Sequence, residues 1–359
     1  MPKRPLHLKP GGHVLPGFFL EQFGVEIHCW LLFLPLKVTP CKLRDSRRDL
    51  YSDPGHKHKK HSKVDSRMSP VFPGKDESSQ VELQYWEPSE HLRYYFGSIY
   101  RFATNTPNYS DMTRADMPQL RFMVSGGGNY EFYDGSVMRT PDVCMVGPTM
   151  GATRFYLDRV AEVYGVSVLP LGWLAMCGDL AYHHADKLFD MAERKGDAFA
   201  LELERLRTAE DRDAAAMGLW AFLESRLSRV SEQMIALVSA IDVWLSDSDS
   251  PQIEDIVAVT GLSARQLARY TNKLYGAPPK LLARKYRALR CASQIVIDRK
   301  NWMELCDEGN FYDQSHFIRE IKQFLGHTPH QLLNDPTAVA RLTVQRRALT
   351  GLAKINRIS

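Results

Sequence analysis

The sequence has few features of a metalloenzyme, a disulfide-linked protein or a membrane protein. Its six cysteines, at positions 29, 41, 144, 177, 291 and 306, show neither paired metal-ligand spacing nor the density of a disulfide framework. Between Val81 and Leu180 the only histidine is His91, which argues against a histidine-ligated metal centre there. The apolar residues 27–36 cover only about half the length of a membrane-spanning helix. We therefore expect structural thiols in a reducing compartment, with no metal, no cofactor and no membrane span.

Acidic residues are missing from one long stretch near the C-terminus, where none lies between Asp255 and Asp298. The same stretch contains eight basic residues: Arg265, Arg269, Lys273, Lys280, Arg284, Lys285, Arg287 and Arg290. The whole chain is only +4, but residues 249–359 hold 17 Lys+Arg and 10 Asp+Glu, a net charge of +7. A solvated helix face usually mixes charges of both signs, whereas phosphate neutralisation requires this kind of excess. The pattern favours nucleic-acid binding, with an ordinary surface face left open as the alternative.

Residues 253–276 have the pattern of a helix, a Gly-Leu-Ser turn and a second amphipathic helix. Gly261 suits the left-handed residue after a helix, and Ser263 is a good cap for the next one. Arg265 and Arg269 then lie one turn apart, away from the apolar face of the second helix. Such a pair can reach base edges in a major groove.

The arrangement recurs about fifty residues further on, in residues 302–326. The second helix of this copy has the buried stripe Phe317, Ile321 and Phe324. Its polar candidates are Gln314, Ser315, Arg319 and Lys322. Residues 280–298 read as one long helix that joins the two motifs and fixes their spacing, so that one chain could address two neighbouring major-groove segments. A helical hairpin that only packs on other helices is the alternative for either motif alone.

This block resembles the C-terminal DNA-binding domain of the AraC/XylS family of bacterial transcription regulators. The family's second motif typically runs Gly-Phe-x-(Asp/Ser)-Gln-Ser-x-Phe-x-Arg-x-Phe-Lys and then Gly-x-(Ser/Thr)-Pro. This chain has Asn310-Phe-Tyr-Asp-Gln-Ser-His-Phe-Ile-Arg-Glu-Ile-Lys322 and then Gly326-His-Thr-Pro329. The resemblance covers roughly residues 240–335.

The resemblance implies which residues contact DNA. The base-contacting positions of the family fall on Arg265, Ala268, Arg269, Gln314, Ser315, His316 and Arg319, to which the charge pattern adds Lys273 and Lys322. Three positions depart from the family's usual pattern: Asn310 replaces a glycine, Tyr312 a capping residue and Ile321 a phenylalanine. Asparagine tolerates the left-handed conformation and Asp313 can supply the cap, so we expect the fold to be retained. Ala268 cannot hydrogen-bond a base, although a thymine methyl contact stays open to it.

Residues 81–180 have the short apolar and aromatic runs of a strand-rich unit. Strands are predicted at residues 83–86, 94–102, 120–124, 130–133, 143–146, 153–157 and 161–168. The segment Ser125-Gly-Gly-Gly-Asn129 is followed by Tyr-Glu-Phe-Tyr, which predicts a hairpin connection rather than a phosphate-binding loop. The region resembles, more weakly, the small cupin-like β-barrel sensor domain found in many members of the family. Candidate aromatic contacts for a small effector are Trp86, Tyr95, Phe96, Tyr100, Phe102, Phe122, Tyr130 and Phe132, all of which also suit a core.

The first eighty residues do not have the pattern of a folded domain. They are rich in proline and contain the basic tract at residues 55–63, in which His56, His58 and His61 could bind a metal but better fit a flexible segment. We interpret residues 1–80 as a disordered or mis-assigned leader, with Met68 a candidate initiator.

The sequence thus predicts an α+β protein: a β-barrel sensor domain and its following helices, then an all-α domain of two helix-turn-helix motifs. The predicted divisions are 81–180 sensor, 181–245 helical connector or dimerisation region, 246–251 linker, 252–335 DNA-binding domain and 336–359 C-terminal tail. The predicted function is sequence-specific transcription regulation, without enzymatic activity, in the cytoplasm at the bacterial nucleoid. Double-stranded promoter DNA is the predicted partner, with a small-molecule effector, RNA polymerase and a homodimer left open. The alternative is an alkyl-transferase-like enzyme fused to the same module, although Cys144 and Cys177 lack the sequence setting of that reactive cysteine.

Overall fold

The computed structural model describes residues 81–306, 311–344, 346, 349 and 351–358. The interpretation of residues 1–80, including Met68 and the histidine tract, and the role of Asn310 lie outside the described residues.

The N-terminal part of the described chain consists of two antiparallel sheets, which together we call the β domain. The first has the order β1-β2-β9-β4-β7-β10 and the second β3-β8-β5-β6. The strands are β1 Val81–Trp86, β2 Phe96–Thr104, β3 Ser110–Thr113, β4 Gln119–Ser125, β5 Gly128–Glu131, β6 Val137–Arg139, β7 Val143–Val146, β8 Thr153–Leu157, β9 Ala161–Val168 and β10 Leu188–Asp190. Met123, Tyr130, Phe155 and Val163 meet in one core that draws on both sheets. The α+β fold class is confirmed, with the expected barrel in the form of two facing sheets.

The sequence-based prediction places the strongest strands correctly and misses three short ones. β7, β8 and β9 begin and end where predicted, whereas β3, β6 and β10, of only three or four residues each, were not predicted. The hairpin expected at Ser125–Asn129 is wrong. β4 pairs with β7 and β9, while β5 pairs with β6 and β8, so this glycine segment carries the chain from one sheet to the other.

Five helices follow or interrupt the β domain: α1 Pro170–Met176, α2 Met191–Lys195, α3 Ala198–Arg207, α4 Arg212–Ser225 and α5 Glu232–Asp247. The sequence predicts two long helices over residues 180–206 and 214–245, and both are interrupted. In the first, strand β10 takes the place of a helical turn. Asp190 then ends β10 and caps α2 through the backbone N–H groups of Ala192 and Glu193. In the second, the chain leaves the helix after Ser225, and Ser231 caps α5.

The C-terminal helices are α6 Ile253–Thr260, α7 Ala264–Tyr275, α8 Pro279–Val296, α9 Trp302–Leu305, α10 Gln314–Leu325 and α11 Pro329–Asn334. Their apolar faces are continuous with the β domain. Ala115, Met117 and Leu169 belong to the same buried cluster as Leu267, Tyr286 and Phe317. The two halves of the described chain therefore share one core, because the apolar faces of α7 and α8 are covered by the β domain as well as by each other.

Several buried hydrogen bonds between the two halves run to backbone atoms. Lys285 of α8 is 2% exposed, and its Nζ donates to the carbonyl oxygens of Asp116, at 2.7 Å, and Thr149, at 2.9 Å. The N–H groups of Ala115 and Ala152 donate to the carbonyl oxygens of Phe324 and Gln323 at the end of α10. Buried donors and acceptors rarely stay unpaired, so these bonds fix one relative position of the two halves.

The last residues, predicted to be a tail, pack on the β domain. They form α12 Ala338–Val344 and α13 Lys354–Ile358, and we call the described residues 338–358 the C-terminal strap. Leu349 and Leu352 are buried against Val81, Leu83 and Tyr85 of β1. Ile355, 1% exposed, belongs to the core shared by the two halves. The strap therefore closes over both halves of the described chain.

Asp242 gives a test of the packing of α5 on α7. The Tyr275 hydroxyl donates to Asp242 Oδ1 at 2.6 Å, yet burial dominates and raises the pKa of Asp242 to about 7. A carboxyl whose folded pKa is raised contributes stability that is present below pH ~4 and is lost as the pH rises towards 7. We expect the free energy of unfolding of the wild type to fall by roughly 1–3 kcal/mol between pH 4 and 7 relative to that of Asp242→Asn. The fall is smaller than the full pKa shift implies, because part of the Asp242 surface is exposed and solvent screens its charge.

The measurement is urea unfolding of both proteins across this pH range. Glu232→Gln, at the exposed start of the same helix, is the control and should keep the wild-type pH dependence. If the free energy of unfolding changed with pH in the same way for the wild type and Asp242→Asn, the raised pKa of Asp242 would be contradicted.

Candidate nucleic-acid interface

The first predicted motif is a helix-turn-helix formed by α6 and α7. Gly261 ends α6 in the left-handed conformation, with φ 67°. Ser263 caps α7: its Oγ accepts from the Gln266 N–H, and the Gln266 side chain accepts in return from the Ser263 N–H. Leu267 and Leu274 are buried, which orients α7. The opposite face of α7 carries no apolar side chain that has to be buried, so it is exposed to solvent.

Exposure differs among the predicted DNA-contacting residues of α7. Arg265 and Arg269 are exposed one turn apart, and the guanidinium of Arg269 lies 5.4 Å from the ring centroid of Tyr270. Ala268 and Lys273 are half-buried. The two arginines thus have the reach that base readout requires, and Ala268 stands between them.

The second motif is formed by α9 and α10. Asp313 caps α10 by accepting from the His316 N–H at 2.6 Å. Phe317 is completely buried, stacked on Trp302 with an interplanar angle of 8° and set edge-on to Phe311 at 4.7 Å. These rings hold α10 against α9 although Ile321 replaces an aromatic residue of the family pattern. Ile321 itself is buried.

Four of the five polar candidates on α10 face solvent. Gln314, Ser315, Arg319 and Lys322 are exposed. His316 is half-buried, and its Nε2 lies 3.1 Å from Glu320 Oε1. Since Glu320 already engages the ring, His316 is less available to a base than its neighbours.

The basic run on α8 has a second role that the sequence did not indicate. Glu320 of α10 is 1% exposed and accepts from Arg284 at 2.6 Å and from Arg287 at 2.9 Å. Arg290 donates to the carbonyl oxygen of Leu245, and Lys285 is directed into the β domain. Half of the eight basic residues therefore bond to other parts of the fold: Arg284 and Arg287 to α10, Arg290 to α5 and Lys285 to the β domain. The excess charge of this stretch predicts phosphate binding, and half of the residues that carry it also make contacts within the fold.

The β domain contains a cavity lined by residues of both sheets. Of the eight aromatic candidates for effector contact, Tyr100, Phe102 and Tyr130 line it. Three others, Trp86, Phe96 and Phe122, belong to the core under α3 and α4, and Tyr95 packs against that core. Phe132 is buried between the two sheets. Sequence reasoning missed Arg114 and Arg346, which also line the cavity, because neither belongs to a motif.

The described cysteines are all buried: Cys144, Cys177, Cys291 and Cys306. Burial raises the pKa of both Cys144 and Cys177 to about 12. Both are therefore thiols at neutral pH, whereas alkyl transfer to cysteine needs a thiolate. Among the described residues, no group of three or more His, Cys, Asp or Glu side chains is placed to hold a metal ion. No helix in the described part of the chain is long and apolar enough to cross a bilayer.

Comparison with known proteins identifies the C-terminal region. A family model described as a helix-turn-helix domain matches residues 256–335. No curated protein sequence matches the chain.

Three solved structures are similar to parts of the chain. ToxT from Vibrio cholerae is 11% identical, covering 67% of this chain and 98% of ToxT with a TM-score of 0.40. The AraC-like transcriptional activator CuxR is 17% identical, covering 60% of this chain and 81% of CuxR with a TM-score of 0.29. Streptomyces PAC13 is 11% identical, covering 29% of this chain and 82% of PAC13 with a TM-score of 0.22.

Proposed function

We propose that the protein is a sequence-specific DNA-binding transcription regulator of the AraC type, because residues 256–335 match a family model described as a helix-turn-helix domain. The observation that carries the proposal is the pair of capped helices, α7 and α10, each with a buried apolar face and exposed polar side chains opposite. A recognition helix needs this division, because one face must be fixed by packing while the other enters the major groove.

In the proposed complex each recognition helix reads its own DNA segment. Arg265 and Arg269 contact base edges from α7, while Gln314, Ser315 and Arg319 do so from α10. Arginine binds guanine bidentately and glutamine binds adenine, so both helices carry side chains suited to direct readout. Lys273 and Lys322 lie beside these residues and would neutralise phosphates.

The connection through α8 supports binding of the two recognition helices to adjacent segments on one face of the DNA. α8 is an 18-residue helix fixed to α10 by the Glu320 ion pairs and to the β domain by Lys285. A rigid connector sets the distance between the recognition helices, so a monomer can address two half-elements about one helical turn apart. Homodimerisation and contact with RNA polymerase stay predictions, as does a place at the bacterial nucleoid.

The β domain is proposed to control this DNA binding, either by binding an effector or by oligomerisation. Support comes from the hydrogen bonds of Lys285, Ala115 and Ala152, through which any displacement of the β-domain loops reaches α8 and α10 directly. The alkyl-transferase alternative is disfavoured by the buried, protonated thiols of Cys144 and Cys177.

Selection of binding sites from random DNA with the full chain tests the proposed function. We expect enrichment of a site with two half-elements separated by about one turn of the double helix. Affinity for that site should exceed affinity for a scrambled site by about 1000-fold or more at fixed, near-physiological salt. Weak binding that depends strongly on salt and shows no sequence preference would contradict specific regulation by this domain.

A further inference from the structure

One short segment of the β domain contacts the ends of both recognition helices. It consists of residues 147–152, which join β7 to β8, and we call it the bridging segment. All of its residues except Met150 are buried. Because β7 and β8 belong to different sheets, the bridging segment also connects the two sheets of the β domain. It is therefore held at both ends by strands.

The first contact of the bridging segment is with the end of α7. Gly276 ends this helix in the left-handed conformation, with φ 79°, and is buried. A methyl group added at this position would overlap the ring of Pro148, which belongs to the bridging segment. The same methyl group would lie 3.3 Å from the carbonyl oxygen of Ala181. The packing between α7 and the bridging segment therefore leaves no room for one further carbon atom.

The second contact is with the end of α10. Gly326 ends this helix in the left-handed conformation, with φ 77°. The Ala152 N–H of the bridging segment donates to the carbonyl oxygen of Gln323 in the last turn of α10, at 2.8 Å. A methyl group added at Gly326 would lie 2.6 Å from Met112 Cε and 3.1 Å from Ala152 Cβ. The other end of the bridging segment thus packs closely on the second recognition helix.

Between these two contacts the bridging segment is held by hydrogen bonds. The carbonyl oxygen of Thr149 accepts from Lys285 Nζ of α8 at 2.9 Å, and the Thr149 hydroxyl accepts from the Asp116 N–H at 2.8 Å. The Met150 N–H donates to Asp186 Oδ1 at 2.8 Å. A buried segment whose polar groups are paired is hard to displace. The bridging segment therefore holds α7, α8 and α10 at fixed distances from one another.

The distance between the recognition helices determines which DNA sites one chain can bind. Each base pair added between two half-elements moves one of them by about 3.4 Å along the DNA axis and rotates it by about 35° around that axis. Two recognition helices in a fixed relative position can follow only one such arrangement. The ion pairs of Glu320 fix α10 to α8, and the bridging segment adds a contact at the C-terminal end of each recognition helix.

We propose that the bridging segment determines the spacing of the half-elements that the protein recognises, because it fixes the ends of α7 and α10 relative to each other. The inference rests on the proposed function, since it concerns the same two recognition helices. It assigns part of the DNA specificity to residues 147–152, which lie outside the helix-turn-helix domain.

The test measures the affinity of the full chain, at fixed salt, for the site selected from random DNA and for two versions with one base pair added or removed between the half-elements. We expect the wild type to prefer the selected spacing by about 10-fold or more. Gly276→Ala forces α7 away from Pro148 and should reduce this preference at least about 5-fold. Adding Pro148→Ala to that variant removes the overlapping ring atoms and should restore the preference.

Gly135→Ala is the matched control. Gly135 also has a positive φ, 83°, in the turn between β5 and β6, but a methyl group added there meets no atom within 4 Å. The substitution strains the backbone without displacing a helix, so the spacing preference should stay within about 2-fold of the wild type. Gly326→Ala makes the same test from α10 and should also reduce the preference. There the flexible Met112 side chain can move aside, which favours folding of this variant.

An unchanged spacing preference in Gly276→Ala, or in Gly326→Ala should Gly276→Ala fail to fold, would overturn the proposal and leave specific DNA binding intact. A wild type that binds all three spacings equally would do the same. A reduced preference that Pro148→Ala does not restore would remove the role of the bridging segment. Failure to select any site from random DNA would instead overturn the proposed function, so the two failures are distinguishable.

Discussion

Replacing both Arg269 and Arg319 with alanine is expected to abolish specific DNA binding. Each arginine is exposed on the outer face of its recognition helix, α7 or α10. Loss of a base-reading arginine costs about 1 to 3 kcal/mol, so the double variant should bind the selected site at least about 30-fold more weakly. Affinity for unrelated DNA should fall much less, because phosphate contacts by neighbouring lysines remain.

A competition assay at constant salt measures this loss, with the selected site and a scrambled site as competitors. Arg226→Ala with Arg229→Ala removes the same charge from exposed positions after α4, outside the DNA-binding domain, and should preserve the preference. A double variant at positions 269 and 319 that still prefers the selected site would remove the base-reading role from these two residues.

Replacing Lys285 with alanine is expected to cost about 3 to 5 kcal/mol of folding free energy. The substitution removes the Lys285 donor from the carbonyl oxygen of Thr149 and one of two donors from that of Asp116, which keeps the Thr149 N–H, and it opens a void where the side chain packed. Because Lys285 joins α8 to the β domain, we also expect unfolding to separate into two transitions. Urea unfolding followed by tryptophan fluorescence and by far-ultraviolet circular dichroism would show both effects.

Lys280→Ala is the matched control, since Lys280 lies on the exposed face of the same helix and should change stability by no more than about 0.5 kcal/mol. The pH dependence gives a second check. Burial lowers the pKa of Lys285 to about 8, so its contribution to stability should rise between pH 8 and 10.5. The difference between the wild type and Lys285→Met should grow over this range. Coincident unfolding curves for the wild type and Lys285→Ala would contradict the coupling.

The local signals of the helix-turn-helix motifs were predictable from the sequence because they act over a few residues. Gly261 ends α6 and Ser263 begins α7. Asp313 caps α10 by accepting from the N–H of His316, three residues later in the chain. The strands with alternating or continuous apolar residues could be predicted for the same reason. β10 could not, since its three residues pair with β7 some forty positions earlier and carry no pattern of their own.

The long-range partners of charged residues were not predictable. Arg346 and Asp116 are 230 positions apart, and Lys285 reaches the backbone of residue 116 across 169 positions. Only the folded structure shows that Arg284 and Arg287 form ion pairs with Glu320 in addition to contributing positive charge to the surface. A charge count alone therefore does not show which basic residues pair within the fold, and it gives no indication of the arginines in the β domain.

The C-terminal strap also determines the order in which the chain can fold during synthesis. The Gly351 N–H donates to Glu87 Oε1 across 264 positions, and Leu349 and Leu352 cover the first strand of the sheet. At about 5–20 residues per second, translation leaves β1 waiting roughly 10 to 50 s for these residues. The nascent β domain must therefore persist with β1 uncovered and its cavity open on one side until residues 349–352 have been synthesised. The first strand is thus covered only after the residues of the C-terminal strap have been synthesised.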